Sequence, residues 1–503
     1  MLMKAGAWWL KITEFDLRSL AFVRISVGLL LVWMQFNYIL QADLFFSDSG
    51  VCTRSAVALM RTANKFPSMH KFSGDADAVR VLLALGVLAG VALTLGWKTR
   101  TITVVAWLLS RSSHARCPYM LQGSDTELDL ILFFMIFLPW GRVWSLDALR
   151  KERPESYGYR SWANSGVLLQ IAMIYIFAVL LKITIDTDWT QGTSVFYALH
   201  SGSRAKDLGD LLLDAPIWVL QLLSRASLLF ELIGPFLLLA GTSLRLLGVF
   251  SFALMHWCFG LCLTLGTFAW ISPTAAAAAL PSAFWGWIER RCGRTPLSAP
   301  PVIRKFAWSD AVVGGALLLS LHMNSMSLLT GEPNRLQRAA SWFGQNIGFS
   351  QKWAMFTTID RKDFGYFRIV GLQDGKLHSL FEERELASVD DLPARGSATY
   401  PSMEWRRLLL SFIRDTKYQS VGFMGPGLCR LLGDKAKDGV QIWQHYRPLN
   451  YPEKRPPYRK RLILDYSCAD QDDRYEFRLD SDGGAYSFPL REIGAPVDEK
   501  QTQ

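Results

Sequence analysis

The chain has 503 residues, of which 50% are hydrophobic and only 19% charged, with a formal net charge of +10 and a mean hydropathy of +0.16. Soluble proteins carry about 25% charged residues, so a water-soluble enzyme, a disordered chain and a coiled coil all fit badly. The charge is also uneven: 24 acidic and 26 basic residues lie from Thr330 onward, leaving 20 acidic and 28 basic before it.

This division predicts a mainly α fold, a polytopic transmembrane helical bundle over 1–329. A small mixed, strand-containing domain outside the membrane follows over 330–503. The first part holds +8 of the net charge and the second +2. Basic residues beside spans meet anionic lipid head groups, so the bilayer is the expected partner and nucleic acid is not.

The first apolar run, 20–40, is longer than a signal-peptide core and lacks a small-residue cleavage site, so it predicts a retained span. A bilayer crossing needs about 20 apolar residues. Further candidates are 79–96, 128–143, 166–183, 228–241, 244–268 and 311–329, with weaker ones at 101–109 and 271–288. Together they make about nine. With the N-terminus inside, 16 Lys and Arg fall on the inner connections and 10 on the outer ones, the expected bias. Nine spans then put the C-terminal domain outside. The expected location is the inner cell membrane, with a cytoplasmic N-terminus and an extracytoplasmic C-terminal domain. Trp97, Trp140, Trp189, Trp287 and Trp308 fall near span ends, as an interfacial belt would.

Beyond Thr330, segments 364–370, 441–446, 461–466 and 475–479 are rich in aromatic and β-branched residues and predict strands. Asp374-Gly375 and Asp482-Gly483 are turn signals, and 405–414 reads as a helix with basic residues. A basic, proline-rich linker covers 448–458. The seven cysteines show neither CxxC nor zinc spacing. Cys258 and Cys262, four apart in an apolar run, are expected to be free and buried; pairing of Cys429 with Cys468 stays open. P-loop, GxGxxG, HExxH and GxSxG motifs are absent, and no residue cluster suggests a metal site.

Ionisable residues inside spans are costly, and each invites a functional reading. Lys182 ends the run YIFAVLLK, seven residues before Trp189. Burial strips solvation from an ammonium, and a neutral amine can act as a base; snorkelling toward the interface, with Asp186 or Asp188 as a partner, is the plainer alternative. His256 lies deep in an apolar run, as a proton relay, a ring-orienting group or an interhelical hydrogen bond. Glu231 reads as a proton acceptor or as a structural partner for Lys182 or Arg24. Arg24 itself reads as snorkelling at the inner end of the first span. Asp125 and Glu127 read as the N-terminal turn of a helix.

The segments LAFVRISVGLLLVWM, FFSDSGV, LILFFMIFLPWGRVWSLDAL, YIFAVLLK…DWTQG, FELIGPFLLLAG and MHWCFGLCLTLGTFAW occur in that order. Together they resemble the horizontally transferred transmembrane (HTTM) domain family, which includes the vitamin K-dependent gamma-glutamyl carboxylases, over roughly 15–329. The resemblance implies a cavity between helices for a quinone, a vitamin K-like hydroquinone. It implies Lys182 as the base, with His256 and Glu231 beside it as catalytic residues. Trp189, Gly192 and Phe268 are implied as residues that hold the cofactor. The chain departs from the carboxylases at Arg116-Cys117-Pro118, where they carry a functional histidine; His114 is out of register. Two extra residues separate Lys182 from the tryptophan, and the C-terminal part is shorter. Two readings follow: a quinone-binding membrane enzyme of carboxylase or epoxidase type, or a non-catalytic membrane protein. The latter would bind lipid, or dock a peptide or protein at the outer face, as in toxin export or maturation.

Overall fold

The computed structural model describes residues 2–59, 66–200, 205–297, 299–329, 331–356, 364–391, 400–414, 424–447, 449, 451–452, 457–468, 474–479 and 484–489. Helices dominate. In order they are α1 (Leu2–Ile12), α2 (Leu17–Leu40), α3 (Arg54–Leu59), α4 (Ala76–Leu95), α5 (Thr99–Arg116) and α6 (Gly123–Met135). Next come α7 (Asn164–Ile185), α8 (Thr187–Gln191), α9 (Ser194–His200), α10 (Asp207–Leu212), α11 (Ile217–Leu238) and α12 (Thr242–Cys262). The last are α13 (Phe268–Ala277), α14 (Ser282–Arg291), α15 (Trp308–Met326), α16 (Arg335–Asn346), α17 (Met403–Arg414) and α18 (Gly425–Leu432).

Five of these, α2, α4, α7, α11 and α12, are long and apolar enough to cross a membrane. Their ends follow from local chemistry. Asp16 and Asp75 cap α2 and α4 by accepting backbone N–H bonds from the first turn. The predicted run 271–288 is two helices, α13 and α14, each of 10 residues. The break falls at Pro281, which supplies no N–H to continue the first helix. The weak run 101–109 lies inside α5, whose apolar half passes into the buried polar stretch Ser110–Arg116.

Connections between helices gather at two ends of the bundle. At one end, β1 (Phe15–Asp16), β2 (Gly158–Arg160) and β3 (Val302–Ile303) form a small sheet in that order. Arg245, at the start of α12, donates to the carbonyls of Ile12 and Glu14 there. Arg24 donates to the Trp144 carbonyl at the same end and is fully buried, so it is enclosed by protein rather than snorkelling.

The opposite end carries the strand-bearing region. Its antiparallel sheet runs β6 (Glu385–Leu386), β5 (Lys376–Ser379), β4 (Phe364–Gln373), β7 (Gly439–Arg447), β8 (Arg459–Tyr466). Asp374 and Gly375 both have positive φ, 51° and 76°, the geometry of a tight two-residue hairpin turn. A separate hairpin pairs β9 (Arg474–Leu479) with β10 (Gly484–Pro489); the turn expected at Asp482-Gly483 lies outside the described residues.

The sheet region and the bundle share one hydrophobic core. Trp405 of α17 is 3% exposed and packs edge-on to Phe45, 5.1 Å away, and to Phe381, 5.2 Å away. Arg430 of α18 donates to the Gly50 carbonyl. Two disulfides lie at this end, Cys52–Cys117 and Cys429–Cys468. Cys258 and Cys262 are free, but Cys258 is exposed and Cys262 half-buried: the face of α12 that carries them points away from the core, contrary to the expected burial.

Candidate functional site

Lys182 occupies the last turn of α7. Asp186 then stops the helix and accepts the N–H of Asp188 to start α8. This reversal folds the chain back on itself and lays the Trp189 ring 4.5 Å from Lys182 Nζ, a cation–π contact. Gly192 ends α8 with φ +81°, a left-handed conformation that costs glycine little. A Cβ on Gly192 would stand 3.3 Å from the Gln221 carbonyl oxygen and the Arg225 Nε. Gly192 therefore shapes the turn that presents Trp189. The Trp189 indole donates to the Phe356 carbonyl at 2.7 Å, tying the site to the chain beyond the bundle.

Lys182 pairs with Glu231 of α11 rather than with Asp186 or Asp188. Its side chain is 3% exposed and that of Glu231 is 9%. A buried pair of this kind survives only where geometry returns the cost of desolvating both ions. The Trp189 face supplies part of that return.

His256 projects from α12 toward the same region. Its Nδ1 lies 2.7 Å from the Phe252 carbonyl and its Nε2 3.0 Å from the Tyr175 hydroxyl. A carbonyl can only accept, so Nδ1 donates and Nε2 accepts from the tyrosine. Tyr175 stands two helical turns before Lys182 on α7. The Phe268 ring, at the start of α13, is 5.2 Å from the imidazole. The fold thus joins Lys182, Glu231 and Trp189 in one cluster and seats His256 against Tyr175 and Phe268 in another, while Gly192 shapes the turn that carries Trp189.

Behind this cluster lie further polar groups, among them Asp125 and Glu127, which the sequence reads as a helix N-terminal turn. Glu127 is fully enclosed and accepts a hydrogen bond from Ser272 at 2.5 Å, and Ser272 in turn interacts with Tyr175. Glu127 is thus part of the interior of the bundle rather than of a solvated first turn. Asp125 does cap α6, accepting the Gln122 N–H. Asp129 gathers His114 at 2.7 Å, Arg111 at 2.9 Å and Ser110 at 2.6 Å. An acidic residue inside an apolar helix was the available signal for Glu127 and Asp129; which helix would answer it was not.

Two cavities lie between the bundle and the strand-bearing region. One of about 480 Å³ lies between α2, α13 and the start of α17. The other, of about 390 Å³, is lined in part by Phe268 and Phe356, and so adjoins the cluster.

A family model for the HTTM domain matches residues 13–280, more than half of the chain. No curated protein and no solved structure matches it. The match begins just before α2 and ends after α13, so it contains Lys182, Trp189, Gly192, Glu231, His256 and Phe268. The helical bundle and its buried ion pair are therefore those of a membrane protein of the HTTM domain family.

Proposed function

We propose that the Lys182–Glu231 pair is the proton-accepting centre of a site for a quinone-type ring between the helices. The buried pair beside the Trp189 face, inside an HTTM domain, is the observation that carries this reading. The surroundings suit such a ring: Trp189, Phe268 and His256 offer planar faces, and the pair offers a proton acceptor in a region closed to water. A bound hydroquinone would supply the acidic hydroxyl and the reducing electrons.

The residues' own part is proton handling. Across their hydrogen bond, Lys182 Nζ can pass one proton to Glu231, leaving a neutral amine beside a neutral acid. Low dielectric narrows the gap between this arrangement and the charged pair. The amine then takes a proton from a donor in the site. Tyr175 and Phe252 fix the orientation of His256, with Nδ1 facing the Phe252 carbonyl and Nε2 the Tyr175 hydroxyl.

The test is solvent extraction of the purified full-length protein. A quinone that co-purifies with wild type and is lost in Lys182→Ala supports the proposal. Equal extracts, with or without quinone, refute it. The second reading is a non-catalytic membrane protein that binds lipid or a peptide, favoured by cavities of about 480 and 390 Å³ at the bundle end.

The proposal includes topology. With α2, α4, α5, α6, α7, α11, α12, α13 and α15 as crossings, β1, β2 and β3 share one side, as their pairing requires. Nine crossings put the strand-bearing region opposite. Both disulfides lie on that side, which suits an oxidising, extracytoplasmic compartment. An inner-membrane location with a cytoplasmic N-terminus fits this arrangement and the basic bias of the opposite connections.

A further inference from the structure

The two cavities at the end of the bundle are sorted by charge. The larger has Asp125 and Glu404 on its wall and, among the described residues, no basic side chain. The smaller has Lys352, Arg406 and Arg407 and, among the described residues, no acidic one. Gln122 lines both and accepts from Arg407 Nη2 at 3.1 Å, so the charges change sign across one side chain.

Arg406 is the unusual member. Trp405 faces the core, and Arg406, its neighbour on α17, is only 5% exposed. Its Nη1 donates to the Thr264 carbonyl at 2.6 Å and lies 3.3 Å from Met403 Sδ, while Nε has no partner. Burial and then the Arg407 charge push its guanidinium down to about 9. A cation enclosed so far and facing a second cation is costly unless an anion joins it. On the other wall, Leu265, Phe268 and Phe356 are apolar, and Phe268 begins a helix of the bundle.

We propose that this cavity binds the anionic headgroup of a phosphate-bearing membrane amphiphile. The phosphate would sit on Arg406, Arg407 and Lys352, with the apolar part along Leu265, Phe268 and Phe356. Arginine forks match phosphate oxygens in pairs, and lysine adds a point charge. Position at the ends of bilayer-length helices, with an apolar wall continuing into the bundle, favours a lipid over an acidic peptide or a free ion. The site shares Phe268 with the proposed ring site but none of its charged residues.

The test uses full-length protein, delipidated in neutral detergent and followed by native mass spectrometry. Phosphatidylglycerol is titrated against phosphatidylcholine of the same chains. Phosphatidylglycerol is expected to saturate one site at least about tenfold more tightly. Arg406→Gln should weaken it by about tenfold or more. Lys352→Gln alters only an exposed side chain, leaves folding intact and should weaken it several-fold. Glu404→Gln, in the acidic cavity, should leave it unchanged. Equal binding of the two lipids, or unaltered binding in both cationic variants, overturns the proposal. So does inorganic phosphate, or a glutamate-rich peptide, competing as tightly as the lipid, since each assigns the cavity to a different ligand.

Discussion

Replacing Glu231 with glutamine keeps the shape of the side chain and removes the charge that answers Lys182. Both partners are almost enclosed, at 3% and 9% side-chain exposure. Breaking such a pair from one side costs about 3–5 kcal/mol, because the remaining ion is left uncompensated. Lys182→Met should cost a similar amount. The double variant Lys182→Met/Glu231→Leu fills the space with apolar groups and should return to within about 1 kcal/mol of wild type, where independent effects would add to about 6–10 kcal/mol. In nanodisc-held protein followed by tryptophan fluorescence, each single variant should melt roughly 3–5 °C lower, with recovery in the double. Quinone retention should not recover with stability, which separates structural support from chemistry. Single variants within about 1 kcal/mol of wild type, or effects that simply add, would refute the reasoning, since they would mean that water already reaches the pair.

Trp405→Ala empties the joint between bundle and sheet and should cost about 3–5 kcal/mol; limited proteolysis should then release the strand-bearing region before the bundle melts. His445 of β7 is held neutral, its imidazole pushed down to about 4 by burial and then by the Arg368 charge. The unfolded chain takes up that proton nearer pH 6.5, so stability should fall as pH drops from about 6.5 to about 4. His445→Phe should flatten that slope in a pH series of melts. Thiol labelling of denatured, unreduced protein should reach Cys258, Cys262 and Cys292 alone, with Cys52, Cys117, Cys429 and Cys468 reacting only after reduction. Prior labelling of all seven would contradict both bridges.

The membrane architecture was legible because apolar length is local information: α2, α4 and α7 stand close to the predicted runs. Lys182 and His256 were visible for the same reason, as ionisable groups in apolar surroundings. What failed depended on neighbours. Single-chain hydropathy took 271–288 as one span, although Pro281 divides it. Arg111, His114 and Arg116 hid the polar half of α5, whose burial rests on Asp129 and on backbone carbonyls from distant loops. Cys52 and Cys117 are 65 residues apart, with no spacing rule to join them. Glu231 had two candidate cations, and only the packing of α11 on α7 chose between them.

The clasp of β1, β2 and β3 has a consequence for biosynthesis. Tyr159 pairs with Phe15 on one side and with Val302 on the other, so it is complete only after about 300 residues have left the ribosome. At roughly 5–20 residues per second, the first helix waits tens of seconds before its N-terminal flank is fastened. Until then the early segments depend on the insertion machinery for shelter. Chains truncated before Val302 should therefore be prime substrates for membrane quality-control proteases.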